Sequence, residues 1–197
     1  MIRFPKSPLK SLSGFFKKED GTAAVELVVL VPMLSFITFS MVTFTMAFKE
    51  KTQAIRATSV VTDMISREVT PITPEYMTGV DALLKTLIRG DDTPNFRITA
   101  FTYDNESAQY GVAWSQDSGL YPALDDTGLN AEAHRLPLIK DGQRAILVET
   151  WIDHTPVTGD GIPGVQEFEN FMVASMRFVP QLCFLPSETA TVESAQC

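Results

Sequence analysis

The chain has 197 residues, 45% of them hydrophobic and 20% charged, and a formal net charge of -8. That length holds one soluble domain with an anchor but not two large domains, and the composition is not that of a disordered chain. Positive charge gathers in residues 1–21, where Arg3, Lys6, Lys10, Lys17 and Lys18 stand against Glu19 and Asp20. The body beyond the apolar stretch is acidic by roughly ten charges, which excludes nucleic acid as a partner, because phosphate contacts need clustered Lys and Arg.

Residues 27–48 read LVVLVPMLSFITFSMVTFTMAF and contain no charged side chain. As a helix they extend about 33 Å, enough to cross a hydrocarbon core of about 30 Å. Their only polar side chains are Ser35, Thr38, Ser40, Thr43 and Thr45, whose hydroxyls can bond back to the helix. Pro32 removes one backbone bond, which membrane helices tolerate. Lys49, Lys51 and Arg56 follow the span, but the five cations before it favour a cytoplasmic N-terminus. A secretory signal peptide fits less well: its apolar core is shorter, and TMAFKEKTQA lacks a small-x-small cleavage pattern.

At the border of this run stands EDGTAAVELVVLVP, residues 19–32. Gly21 precedes small residues Thr22, Ala23 and Ala24, and Glu26 is a carboxylate at the edge of the hydrophobic stretch, where charge is costly. A glycine, four residues and a glutamate at the head of an apolar helix resemble a prepilin-peptidase site. The wider pattern, a basic segment, DGTAAVEL and a long apolar run containing Pro32, resembles the TadE/TadF-like minor pseudopilins of tight-adherence (Flp/Tad) pili. The resemblance implies cleavage after Gly21, with Thr22 as the first mature residue and Glu26 as the fifth. It also implies that Glu26 contacts the new amino terminus of a neighbouring subunit or serves recognition by the peptidase. Thr22 and Leu27 depart slightly from the family's commoner residues. The implied partners are a prepilin peptidase, other pilus subunits, assembly-platform proteins and the membrane. Further along, ILVETWIDHTP (146–156) and MRFVPQLCF (176–184) resemble the family's closing strands and cysteine ending.

The expected organisation is a basic cytoplasmic leader at 1–21, a transmembrane helix at 22–48 and an extracytoplasmic α+β domain at 49–197. Residues 49–69 lack Gly and Pro and place Ala54, Ile55, Val61, Met64 and Ile65 at helical spacing, so the helix continues until Pro71 and Pro74 stop it. A second helix over 74–89 has Thr73 as cap, Tyr76, Val80, Leu83, Leu84 and Leu87 on its apolar face, and Gly90 at its end. Strands are expected at 96–103, 109–115, 144–152 and 171–182, with Asp104-Asn105-Glu106 turning the first into the second. Residues 116–142 read as a long loop with a short helix near Ala131, and 155–164 as a mobile loop. The fold class is therefore α+β: a long N-terminal transmembrane helix continuing into a small antiparallel sheet domain with one or two packed helices.

Cys183 and Cys197 are the two cysteines. They can form one bridge if the tail lies outside the cytoplasm, where disulfides persist, and are otherwise two unpaired thiols. His134 and His154 lie in separate loops and read as exposed polar residues, since zinc wants three or four ligands. The pairs Asp91-Asp92 and Asp125-Asp126, and Asp160, lack EF-hand spacing and read as solvated charge. No triad order, P-loop or nucleotide fingerprint is present, so the chain reads as a non-enzyme without metal or cofactor. Larger proteins with a related anchor carry a von Willebrand domain with an Asp-x-Ser-x-Ser motif, which this sequence lacks. Trp114 and Trp151 read as packing residues. The alternative to a pilus subunit is a single-pass anchored periplasmic binding or sensing module with an uncleaved N-terminus.

Overall fold

The structure, a computed structural model, describes residues 20–88, 94–153, 167–187 and 192–197. Residues 1–19, Arg89, Gly90, Asp91, Asp92, His154 and the expected loop at 155–164 with Asp160 lie outside the described residues. By packing, the chain divides into two units, Met1–Thr45 and Met46–Cys197. The elements in chain order are α1 (Asp20–Ser66), α2 (Pro74–Ile88), β1 (Asn95–Asp104), β2 (Gln109–Asp117), α3 (Asp126–Ala131), β3 (Arg144–Asp153) and β4 (Glu167–Ser175). Single 3-10 turns occur at Ala133–Arg135 and Val192–Ser194. An α+β chain with a long apolar helix followed by a small antiparallel sheet is what the sequence led us to expect.

In the first unit α1 has no packing partner among the described residues, and its apolar side chains from Val25 onward are exposed. In the second, the same helix turns one face inward. Ala54, Ala57, Thr58, Val61, Thr62, Ile65 and Ser66 are buried at the 3-4 spacing of a helical stripe. The small residues let the helix approach the sheet closely, and the buried hydroxyls are satisfied. Thr58 Oγ1 lies 2.6 Å from Thr150 Oγ1, Asn170 Nδ2 donates to that same Thr150 oxygen, and Thr62 Oγ1 donates to the Thr58 carbonyl.

The sheet is antiparallel throughout, in the order β2-β1-β3-β4. One face packs on Ala57, Val61 and Ile65 of α1 and Val80 and Leu84 of α2, through Phe96, Ile98, Ala100, Trp114, Ile146 and Val148. A simple one-sided sheet would leave the alternate residues in water. Instead Phe101, Tyr110, Ala145 and Leu147 form a second core with Leu129 and Leu136. The segment between β2 and β3, expected as a long loop, supplies this cover. Asp125 caps α3 by accepting from Gly128 N at 2.7 Å, and a Cβ at Gly128 would stand 2.9 Å from Leu124 Cδ2. The same segment closes the outer edge of β2. Asn130 bonds Tyr110 in both directions, accepting from its N–H at 2.9 Å and donating to its carbonyl at 2.7 Å, and Asp126 accepts from Val112 N at 2.7 Å.

Two expected boundaries are corrected. Helix α1 ends at Ser66 rather than Val69. The amides of Val69 and Thr70, which would continue the helix, donate instead to Glu68 Oε1 at 3.1 and 3.2 Å, and Arg177 N takes the Ser66 carbonyl. The Thr70 hydroxyl also donates to Glu68, which holds that carboxyl below its usual pKa. The last strand spans Glu167–Ser175, not 171–182. After Ser175 the chain leaves the sheet to reach α1 at Arg177, and Pro180 has no amide to offer a ladder.

Tyr76 on α2 packs against the main core, and its hydroxyl is buried without a hydrogen-bond partner among the described residues. Burial, and then the charge of Glu68, push its pKa up to about 12. The folded state therefore favours the neutral phenol. That contribution is whole below the unfolded value of 10.0 and is lost as pH rises through about 12. Tyr76→Phe is expected to leave neutral-pH stability unchanged or raised by up to about 1 kcal/mol, since it removes an unpaired polar atom. It should also flatten the fall in melting temperature between these two pH values, as an alkaline series of thermal melts would show.

Candidate functional site

The segment expected to carry function is the start of α1. Asp20 opens the helix, so Gly21 and Thr22 lie in its first turn. The first four amides of a helix have no partner within it, and glycine is a poor helix former, so the Gly21–Thr22 bond lies in the most easily opened part of α1. Glu26 follows one turn later and is exposed, as are the apolar residues after it. Its carboxylate is the only charge between Val25 and Phe48.

From Ala24 onward this is the one helix, among the described residues, long and apolar enough to cross a membrane. Val28, Val29, Met33, Phe36, Phe39, Met41 and Phe44 are each at least 60% exposed, so no described residue covers this apolar surface. Its hydroxyls turn back on the helix: Thr38, Thr43 and Thr45 donate to the carbonyls of Leu34, Phe39 and Met41 at 2.7–2.9 Å. An apolar medium would thus meet few unsatisfied polar atoms.

The other candidate residues lie in the second unit. Cys183 and Cys197 are joined by a disulfide, with Cα atoms 4.4 Å apart. The bridge closes a tail that is threaded into the domain. Ile72 N donates to the Cys183 carbonyl, Leu185 N to the Ile72 carbonyl, and Phe184 and Gln196 exchange backbone bonds. Trp114 Nε1 donates to the Leu182 carbonyl at 2.6 Å, and Arg144 bonds the Cys197 carbonyl.

A buried charge pair has no counterpart in the sequence reading. Arg97 on β1 stands opposite Glu149 on β3, with Nε 2.7 Å from Oε2, and the two residues are 8% and 2% exposed. Arg97 Nη1 also donates to the Pro122 carbonyl, and the guanidinium lies 5.1 Å from the centre of the Trp151 ring. Tyr121 stacks on that ring at 4.0 Å. Its hydroxyl donates to Glu167 at 2.6 Å, a bond that, with burial, pushes the phenol up to about 12. All five residues are already bonded or stacked on one another, so the cluster organises the sheet rather than presenting a ligand site. The signal that could have found it is the odd Arg and Glu in otherwise apolar strands.

His134 is exposed on its 3-10 turn. Among the described residues no group of three His, Cys, Asp or Glu could hold a metal ion. Asp125 and Asp126 are spent on the α3 cap and the Val112 amide. No family model matches the chain, and no curated protein or solved structure does either.

Proposed function

We propose that this chain is a membrane-anchored minor pseudopilin, processed after Gly21 by a prepilin peptidase and acting in the assembly of a tight-adherence pilus. The observation that carries the reading is the border of α1. Gly21 and Glu26 stand five residues apart in the first turns of a helix whose large apolar side chains from Val25 to Phe48 are left exposed. A bilayer or a bundle of like helices would cover that surface, and in either setting a carboxylate at the edge needs a cationic partner. A new amino terminus at Thr22 would supply one. The basic leader favours a cytoplasmic N-terminus, which places the acidic domain outside the inner membrane, where its disulfide would persist.

The test is the N-terminal mass of the membrane-extracted protein, in cells with and without the prepilin peptidase. The expected mature chain begins at Thr22, and Gly21→Phe should retain the leader in nearly all molecules, because the residue before the cut must be small. A chain starting at Met1 in both strains would overturn the proposal and leave an anchored binding or sensing module with an uncleaved N-terminus.

A further inference from the structure

Of the ten described cations of the second unit, five pair with a described carboxylate. Arg67, Lys85, Arg97, Arg135 and Arg177 each bond a carboxylate. Of the other five, Arg144 bonds the Cys197 carbonyl and Lys140 lies just before β3, while Lys49, Lys51 and Arg56 cluster on α1. These last three are exposed, and none forms an ion pair with a described carboxylate. Glu50, the one carboxylate among them, has an interaction of its own. Three cations within eight residues, none paired with a described carboxylate, are unexpected in a chain of net charge -8. They begin at the residue after Phe48, where the apolar run ends.

Their placement on α1 is also specific. Ala54, Ala57 and Thr58 are buried, and Gln53 Nε2 donates to the Leu87 carbonyl of α2 at 2.6 Å. At about 100° per residue, Lys49 and Arg56 share one flank of the helix, while Lys51 lies about 200° round from Lys49 on the other. The cations therefore flank the buried stripe on both sides.

We infer that Lys49, Lys51 and Arg56 form a collar that binds the phosphates of anionic phospholipid headgroups. The inference rests on the reading of α1 as a membrane span. A headgroup layer is roughly 5–7 Å deep on each side of the hydrocarbon core. Lys49 and Lys51 stand about 1.5 and 4.5 Å beyond Phe48 along the axis, inside that layer. Arg56 stands about 12 Å beyond it, but helical side chains lean toward the N-terminus, so its long stem points back to the lipid. Such a collar would hold the acidic domain against a surface of like sign that otherwise repels it.

The experiment uses the full chain in detergent micelles, titrated with phosphatidylglycerol, phosphatidylcholine or inorganic phosphate, with bound lipid counted by native mass spectrometry. The expected result is tighter binding of phosphatidylglycerol. Its affinity should fall by about fivefold for each cation lost in the series Lys49→Gln, Lys49→Gln/Lys51→Gln and the triple variant with Arg56→Gln. Lys140→Gln, elsewhere on the domain, should not change it, and the near-ultraviolet signal of Trp114 and Trp151 should show that each variant is folded. Equal affinity for the two lipids, or a preference that survives the triple change, would overturn the inference. So would inorganic phosphate competing at the lipid's own affinity. A chain that fails to enter bilayer nanodiscs of either lipid would instead overturn the membrane reading itself.

Discussion

Glu149→Ala is expected to cost about 3–5 kcal/mol of unfolding free energy, more than most single changes in this domain. The carboxylate is 2% exposed and bonds Arg97 Nε at 2.7 Å in the middle of the sheet. Its removal leaves a buried guanidinium with the Pro122 carbonyl and the Trp151 ring as its remaining company. Burial of an uncompensated charge, rather than loss of a contact, sets the size of the effect. The double change Arg97→Met/Glu149→Leu should therefore recover most of the loss, because two apolar side chains of similar volume need no counter-charge. Urea unfolding followed by the fluorescence of Trp114 and Trp151 reads both variants. A loss below about 1 kcal/mol for the single change would mean that water reaches the pair.

The second large effect is expected from Cys183→Ser. The bridge to Cys197 spans 14 residues of sequence, and closing a loop of that size restricts the unfolded chain by about 3 kcal/mol in the chain-entropy account. Cys197→Ser and full reduction of the native chain should give the same loss, and reductant should not add to either substitution. The damage should begin at the tail: Phe184 is buried, and its bonds to Gln196 together with those of Ile72 to Cys183 and Leu185 hold the segment after α1 in place. Hydrogen exchange at the Ile72 and Phe184 amides should rise before exchange at β3. A melting curve indifferent to reductant would exclude the bridge as a stabilising link.

Local signals made several elements legible in advance. Thr73 and Pro74 mark the start of α2, and Thr73 Oγ1 indeed accepts from Tyr76 N. The turn at 104–107 is visible in its Asp and Asn, and Asp104 accepts from the Glu106 amide and the Ser107 hydroxyl. The apolar run from Leu27 to Phe48 needs no tertiary context to be recognised, and neither does the Gly21 to Glu26 spacing at its head. What stayed hidden depends on residues far apart in the chain. The partners in the Arg97–Glu149 pair are separated by 52 residues, and no periodicity connects them. The cover on the second face of the sheet comes from Leu129 and Leu136, in a stretch whose Asp, Gly and Pro content reads as open loop. The end of α1 was misplaced because the stop is a side chain, Glu68, folding back on its own amides, and not the prolines beyond it.

The side-chain closure of β2 sets a limit on how copies of this protein can associate. A ribbon that grows by adding sheet to sheet needs two available edges on every copy, one to give and one to receive. Over Tyr110 and Val112 one edge is already taken by Asn130 and Asp126, which act as a built-in substitute for a neighbouring strand. Edge pairing could then join at most two copies before it ran out of partners. A long polymer of this chain would have to draw its continuity from contacts other than strand pairing, since that route ends at the pair.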